Sequence, residues 1–212
     1  MGKVALGCLA VVVVVALVGG LWVAGINNNL VGLAQGVDAQ WAQVENVYQR
    51  RADLVPNLVA TVQGAAQFEQ ATLTAVTEAR ASVGRVQVSG QDLVNNPEAF
   101  ARWEQAQAGL SSALQRLLVV AENYPQLKAT DAFRDLQAQL EGTENRITVE
   151  RMRFNETAQV YNTARLRFPA NMLAGMLGFR EKAYFKAQPG AEQAPKVEFD
   201  FRASPPATQP QQ

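Results

Sequence analysis

The sequence predicts an all-α fold: an N-terminal transmembrane helix, then an antiparallel long-helix (four-helix) bundle with a short extra helix and a flexible tail. Three observations predict it. Residues 4–26 form an apolar run without a charge. Residues 130–168 repeat an apolar side chain every seventh position, at Phe133, Leu140, Ile147, Phe154, Tyr161 and Phe168. That is the period of a helix packed lengthwise on other helices. The connections between helical stretches are short, which makes sequence neighbours antiparallel. The expected division is a flank at 1–3, the span at 4–26, the bundle at 27–180 and a largely disordered tail at 181–212.

At about 1.5 Å per residue, the apolar run crosses a hydrocarbon core of about 30 Å. Asn27, Asn28 and Asn29 close it, and Trp22 suits the interface at that end. A cleaved signal peptide would have a shorter apolar core and a small-x-small site. Cys8 precedes most of the core, so it reads as a small hydrophobe rather than a lipid-attachment site. Lys3 precedes the span, and the first basic residue after it is Arg50. Basic residues favour the cytoplasmic flank, which places the bundle outside the cytoplasm. Ala16, Gly20 and Ala24 form a small-xxx-small row that would let two spans pack as a homo-oligomer. The competing reading, that apolar spans are rich in Ala and Gly anyway, is preferred.

Beyond the span, Leu30, Leu33, Val37, Trp41, Val44 and Tyr48 recur at helical spacing. At Pro56 two readings compete. Either Asp53 caps a second helix with Pro56 in its first turn, or one helix kinks there and continues. The first is preferred, because an unbroken rod from Leu30 to Val86 would be about 85 Å long. The two later helices could not cover it. The second helix carries Val55, Leu58, Val62, Leu73, Val76 and Val83. A loop runs from Val88 to Asn96, and Asn96-Pro97 starts a third helix as cap and first-turn proline. Its seam is Phe100, Trp103, Gln107, Leu110, Leu114, Leu117, Ala121 and Tyr124, and Pro125 ends it. Thr130 caps the fourth helix, with Asp131 at its positive end.

An up-down bundle brings the chain back to the bilayer after its fourth helix. The segment there mixes Arg165, Arg167, Arg180, Lys182 and Lys186 with Met172, Met176 and Phe179. It reads as a surface for anionic lipid or a partner, or, preferably, as a short helix closing the end of the bundle. In the tail, Val197, Phe199 and Phe201 alternate with Glu198 and Asp200. This strand-like pattern would add to a partner's sheet edge or dock on the bundle.

The chemistry is narrow. With 19 basic and 19 acidic residues, nothing points to nucleic acid. One cysteine and no histidine exclude an internal disulfide, a Cys/His zinc site and a His-dependent nucleophile. No phosphate-cradling glycine loop is present, and neither cofactor nor metal is expected. On the fourth helix, Glu144 and Arg151 lie seven apart, as do Asn155 and Asn162, so each pair shares a face. Carboxylates in helical bundles bind metals alongside histidines. Here histidine is missing, and Arg146, Arg151 and Arg153 crowd the stretch. The preferred reading is a structural polar network that also includes Asn145. Arg50, Arg51 and Asp53 are its partners, and it fixes the register of the fourth helix against the first two.

The stretches NNLVGLAQGVDAQWAQVENVYQRRADLVPNLVATVQG, ENYPQLKATDAFRDLQAQLEGTENRI and RFPANMLAGMLGF resemble the LemA family of membrane proteins. The resemblance covers most of the chain after the span, in order. Phe154 departs from the usual Tyr-Asn pairs, and residues 80–91 are a variable region. The resemblance implies a helical bundle on a membrane helix in the bacterial cell (inner) membrane. It also implies no established enzymatic activity, and links of some members to membrane organisation. The expected function is a non-enzymatic, membrane-anchored interaction or scaffold protein, with the lipid bilayer and unidentified proteins as partners. The alternative is a sensory or small-ligand-binding module with a pocket near Glu144 and Arg151. On the first reading, deletion of residues 183–212 leaves the bundle folded.

Overall fold

The computed structural model describes residues 2–64, 68–86 and 90–186. Its elements are α1 (Gly2–Gln63), α2 (Gln70–Arg85), α3 (Gly90–Val94), α4 (Pro97–Ala121), α5 (Pro125–Lys128), α6 (Asp131–Leu166) and α7 (Ala170–Ala174). Among the described residues no strand occurs.

α1 is a single helix of 62 residues. Residues 6–22 are exposed on all sides, and this portion is apolar enough to cross a membrane. From Leu30 onward one face turns inward with Val37, Trp41, Val44, Tyr48, Val55, Leu58 and Val62. That part of α1 is about 50 Å long, and the 36 residues of α6 match it at about 54 Å. The two run antiparallel along their length: Gln40 meets Glu150 and Arg51 meets Glu144. α4 lies parallel to α1, with Phe100 beside Trp41 and Gln107 beside Arg51. α2 packs on α4 and α1. The result is an up-down four-helix bundle.

The structure corrects the expected helix break at Pro56. Asp53 caps nothing; it sits inside α1 and accepts from Gln49 Nε2 at 2.7 Å. The proline removes one N–H and costs a helix interior about 3 kcal/mol. Leu54, Val55, Leu58 and Val62 bury their side chains on the face begun by Val37, each contributing about 1.5–3 kcal/mol. Burial outweighs the proline. The Ala52 carbonyl that Pro56 cannot reach accepts instead from Arg80 Nε of α2 at 3.2 Å. The helix stops at Gln63, where Gly64 follows. The length argument against a rod to Val86 therefore stands, with the break some eight residues later than expected.

Smaller departures have local causes. The loop before Asn96 contains α3, and Pro125 begins the one-turn helix α5 rather than only ending α4. Asn96 Oδ1 caps α4 by accepting from Glu98 and Ala99, and Thr130 Oγ1 caps α6 by accepting from Phe133 N. α6 ends at Leu166, two residues short, because a residue preceding proline disfavours the helical region. Phe168, the last member of the predicted seam, therefore lies outside α6 and is exposed.

The tail boundary also moves. Residues 180–186 leave the base of the bundle and lie extended along α6, and Ala183 and Phe185 are buried. This strap is part of the core, so a deletion from residue 183 removes core side chains. The rest of the expected tail, including Val197–Phe201, lies outside the described residues.

Candidate functional site

The core consists of two large apolar clusters, with a small third one of Leu30, Ala170 and Ala174 at the base. Of the large two, the membrane-proximal one is aromatic: Trp41 centres it, with ring centroids of Trp103 at 5.2 Å and Phe154 at 5.3 Å. Tyr48 meets Trp103 at 4.7 Å, and Phe185 from the strap meets Phe100 at 4.9 Å. The distal cluster is mainly aliphatic, built on Leu58, Val62, Leu110, Leu117 and Leu140 with Phe133. Between them lies one polar layer.

Arg51 holds that layer. Its side chain is 1% exposed. Nη1 donates to Ser111 Oγ at 2.6 Å and to Glu144 Oε1 at 2.9 Å, while Nη2 donates to the side-chain oxygen of Gln107. The guanidinium carbon lies 4.9 Å from the Tyr48 ring centroid. Three helices thus meet on one cation. Burial raises the Tyr48 phenol pKa above its ordinary value, although Arg151 and Arg51 pull the other way. Glu144 is 43% exposed and lines an open cleft of about 410 Å³ with Leu114, Leu118, Leu140 and Asn145.

The two asparagines have a different role from the one expected. Their partner is the strap, not α1 or α2. Asn162 Nδ2 donates to Lys182 O at 2.9 Å, and Asn162 Oδ1 accepts from Lys182 N at 3.0 Å. Asn155 makes the same pair with Phe185, both at 2.9 Å. Seven residues of helix and three of extended chain both span about 10 Å, so two amides on one face of α6 reach Lys182 and Phe185. Each substitutes for a neighbouring β-strand by offering one donor and one acceptor. The Ala183 N–H completes the docking by donating to Val94 O at 2.9 Å.

Charge secures the strap at both ends. Lys182 Nζ reaches Asp38 Oδ1 of α1 at 3.1 Å and lies 5.8 Å from the Tyr161 ring centroid. Burial raises the Tyr161 pKa. Arg151 pairs with Glu104 of α4 at 2.5 Å and donates to Lys186 O at 3.2 Å, its guanidinium 4.5 Å from the Phe185 ring centroid. Burial raises the Glu104 carboxyl pKa, with Arg151 opposing it.

The structure therefore joins Arg51 to Glu144, and separates Glu144 from Arg151. Arg50, Asp53 and Arg146 are exposed and stand apart from the layer, and Asn145 is exposed at the cleft. Of the expected basal surface, Lys182 is buried and Phe179 packs inward, whereas Arg167, Met172, Met176 and Arg180 are exposed. Arg165 is held by Glu181 at 3.3 Å, and Lys186 is exposed at the far end of the strap. Ala16, Gly20 and Ala24 lie on the exposed surface of the apolar part of α1. Sequence reasoning missed Ser111, Glu104 and Asp38. Gln107 had given a signal, as the one polar member of an apolar seam.

Magnetosome protein MamQ of Magnetospirillum gryphiswaldense is 26% identical over 180 residues, covering 78% of this chain. Magnetosome protein MamQ 2 of Paramagnetospirillum magneticum is 26% identical over 183 residues. The chain spans 66% of the length of each of these relatives, just under two thirds. The profile of the LemA family matches residues 40–199, from Gln40 in α1 through all later helices and the strap. The chain belongs to the LemA family.

Proposed function

We propose that this chain is a membrane-tethered, non-enzymatic interaction protein, a helical post that holds other proteins at a bilayer. The carrying observation is the use made of its polar residues. Arg51 joins Gln107 and Ser111 of α4 and Glu144 of α6 in one layer between three helices, and Asn155, Asn162 and Lys182 fasten the strap. Side chains that would otherwise serve a reaction are spent on rigidity. A stiff bundle on a continuous helix suits a scaffold. The magnetosome proteins among its relatives support work at a membrane. The charge of Lys3 supports a bundle outside the cytoplasm, in a bacterial inner membrane. A photo-crosslinking amino acid at exposed Val119, Met152 or Val160 tests the reading in cells. Discrete cross-links to another protein are expected. Cross-links to nothing but lipid, at all three positions, would remove its basis.

The cleft beside Glu144 favours a second reading, a small-ligand sensor. It predicts that a metabolite raises the melting temperature of the full chain and that Leu118→Trp, which fills the cleft, abolishes the rise. Interaction is preferred, because Glu144 and Ser111 on the cleft wall already serve Arg51.

A further inference from the structure

The base of the bundle carries an apolar surface that the polar layer and the strap do not use. Leu166 is 61% exposed, Phe168 77%, Met172 68% and Met176 84%. All four lie on the turn from α6 into α7 and just beyond it. Their height is fixed by the neighbouring face of the same segment. Ala170 and Ala174 of α7 pack on Leu30 of α1, with Ile26, Ala164 and Phe179 around them.

Ile26 and Leu30 lie where α1 leaves its apolar portion. If residues 4–26 span the hydrocarbon core, Ile26 stands at its edge and Leu30 about 6 Å beyond it. That is headgroup depth. Exposed Phe and Met side chains at this depth do not face bulk water. They meet the boundary between headgroups and acyl chains, where an amphipathic surface settles. Arg167 and Arg180 are also exposed on this segment, and they suit the anionic phosphates above that boundary. The patch stands beside the end of α1 whose residues 6–22 form an exposed apolar wall. Its occupant is therefore the bilayer that already surrounds that wall.

We propose that Leu166, Phe168, Met172 and Met176 form a second membrane contact, inserted beside the span, which seats the bundle on the bilayer in a fixed orientation. α1 tethers the bundle, and the base sets how it stands.

The test uses the full chain in nanodiscs of phosphatidylcholine and phosphatidylglycerol, in a Cys8→Ala background. An environment-sensitive fluorophore is placed at Met176→Cys or, as the reference, at Val119→Cys on the distal part of α4. Nitroxides on the upper acyl chain should quench most of the emission at 176 and leave 119 unchanged. Equal emission at the two positions would overturn the proposal. So would cross-linking of 176 to a second copy without lipid quenching, which makes the patch an interface between copies. A label at Leu166→Cys then reads the Phe168→Ser, Met172→Ser, Met176→Ser variant. Loss of acyl-chain quenching with an unchanged melting temperature is expected, since the replaced side chains are exposed. Retained quenching would show that the span alone holds the base down.

Discussion

Arg51 is a charge in a place where charge is expensive, and its partners decide what its removal does. Arg51→Met takes away the cation but leaves the Gln107 side-chain oxygen buried without a donor. A buried unsatisfied group costs about 1–3 kcal/mol, so Arg51→Met is expected to lose about 2 kcal/mol in urea unfolding of the micelle-bound chain. Adding Gln107→Leu removes the orphan and fills the layer with apolar atoms. Such replacements of buried polar groups are often neutral or stabilising, so the double variant is expected to regain most of the loss. Simple additivity of the two changes would refute the idea of a shared layer. Glu104 offers a pH test. Its folded pKa is raised by burial, so the folded carboxyl keeps a proton that the unfolded chain has already released. Its contribution to stability is fullest at acid pH and is lost as pH rises from about 4 through the folded value. Glu104→Gln should remove that downward slope, as read from stability at pH about 4 to 7. At this scale the sequence was half legible. The spacing of Glu144 with Arg151, and of Asn155 with Asn162, announced that each pair shares a face. Their partners were not announced, because Glu104, Ser111, Asp38 and the strap backbone are distant in sequence and carry no period of their own.

Among the elements, α1 was misread where a local signal and a tertiary one conflict. Pro56 marks a boundary in any isolated peptide, but the apolar face on both sides of it stays in register, from Val44 and Tyr48 to Val55 and Leu58. Burial along α6 and α4 decides the outcome, and no sequence window contains it. Pro56→Ala returns an N–H to the Ala52 carbonyl and removes the ring from the helix interior. It is expected to stabilise the bundle by about 1–3 kcal/mol, seen as a higher melting temperature by circular dichroism. Arg80 then shares the Ala52 carbonyl with the restored N–H. Arg80→Ala should therefore cost less in the Pro56→Ala background than in the parent, and the same cost in both would mean that the Arg80 contact offsets nothing. α4 and α6 begin where the sequence places them because their signals agree. Caps at Asn96 and Thr130, buried seams and strong stops all point to one structure.

At the scale of the whole molecule, the fold was legible as a class because amphipathic period, loop length and a membrane span combine into few architectures. Its closure was not. The helices leave a groove along α6 that is filled by chain from beyond the expected bundle, through Ala183 and Phe185. Extended chain carries no helical period, so nothing in the strap's sequence separated it from the tail. This placement makes the two ends of the segment unequal. A chain ending at Lys186 keeps Phe185 among Trp41, Phe100 and Phe154, and is expected to melt with the full chain. A chain ending at Gly178 loses Phe185, the Lys182–Asp38 pair and both asparagine clamps. Deleting a buried phenylalanine alone costs about 3–5 kcal/mol, against a total of about 5–15 kcal/mol for a typical domain. At about 2–4 °C per kcal/mol, that loss alone should lower the melting temperature of the shorter chain by about 6–20 °C. Phe185→Ala in the full chain should account for much of that drop, since the clamps then hold a strap with nothing to anchor. If the Gly178 truncation melted with the parent, the aromatic cluster would be complete without the strap, and residues 180–186 would be free to serve a partner instead of the core.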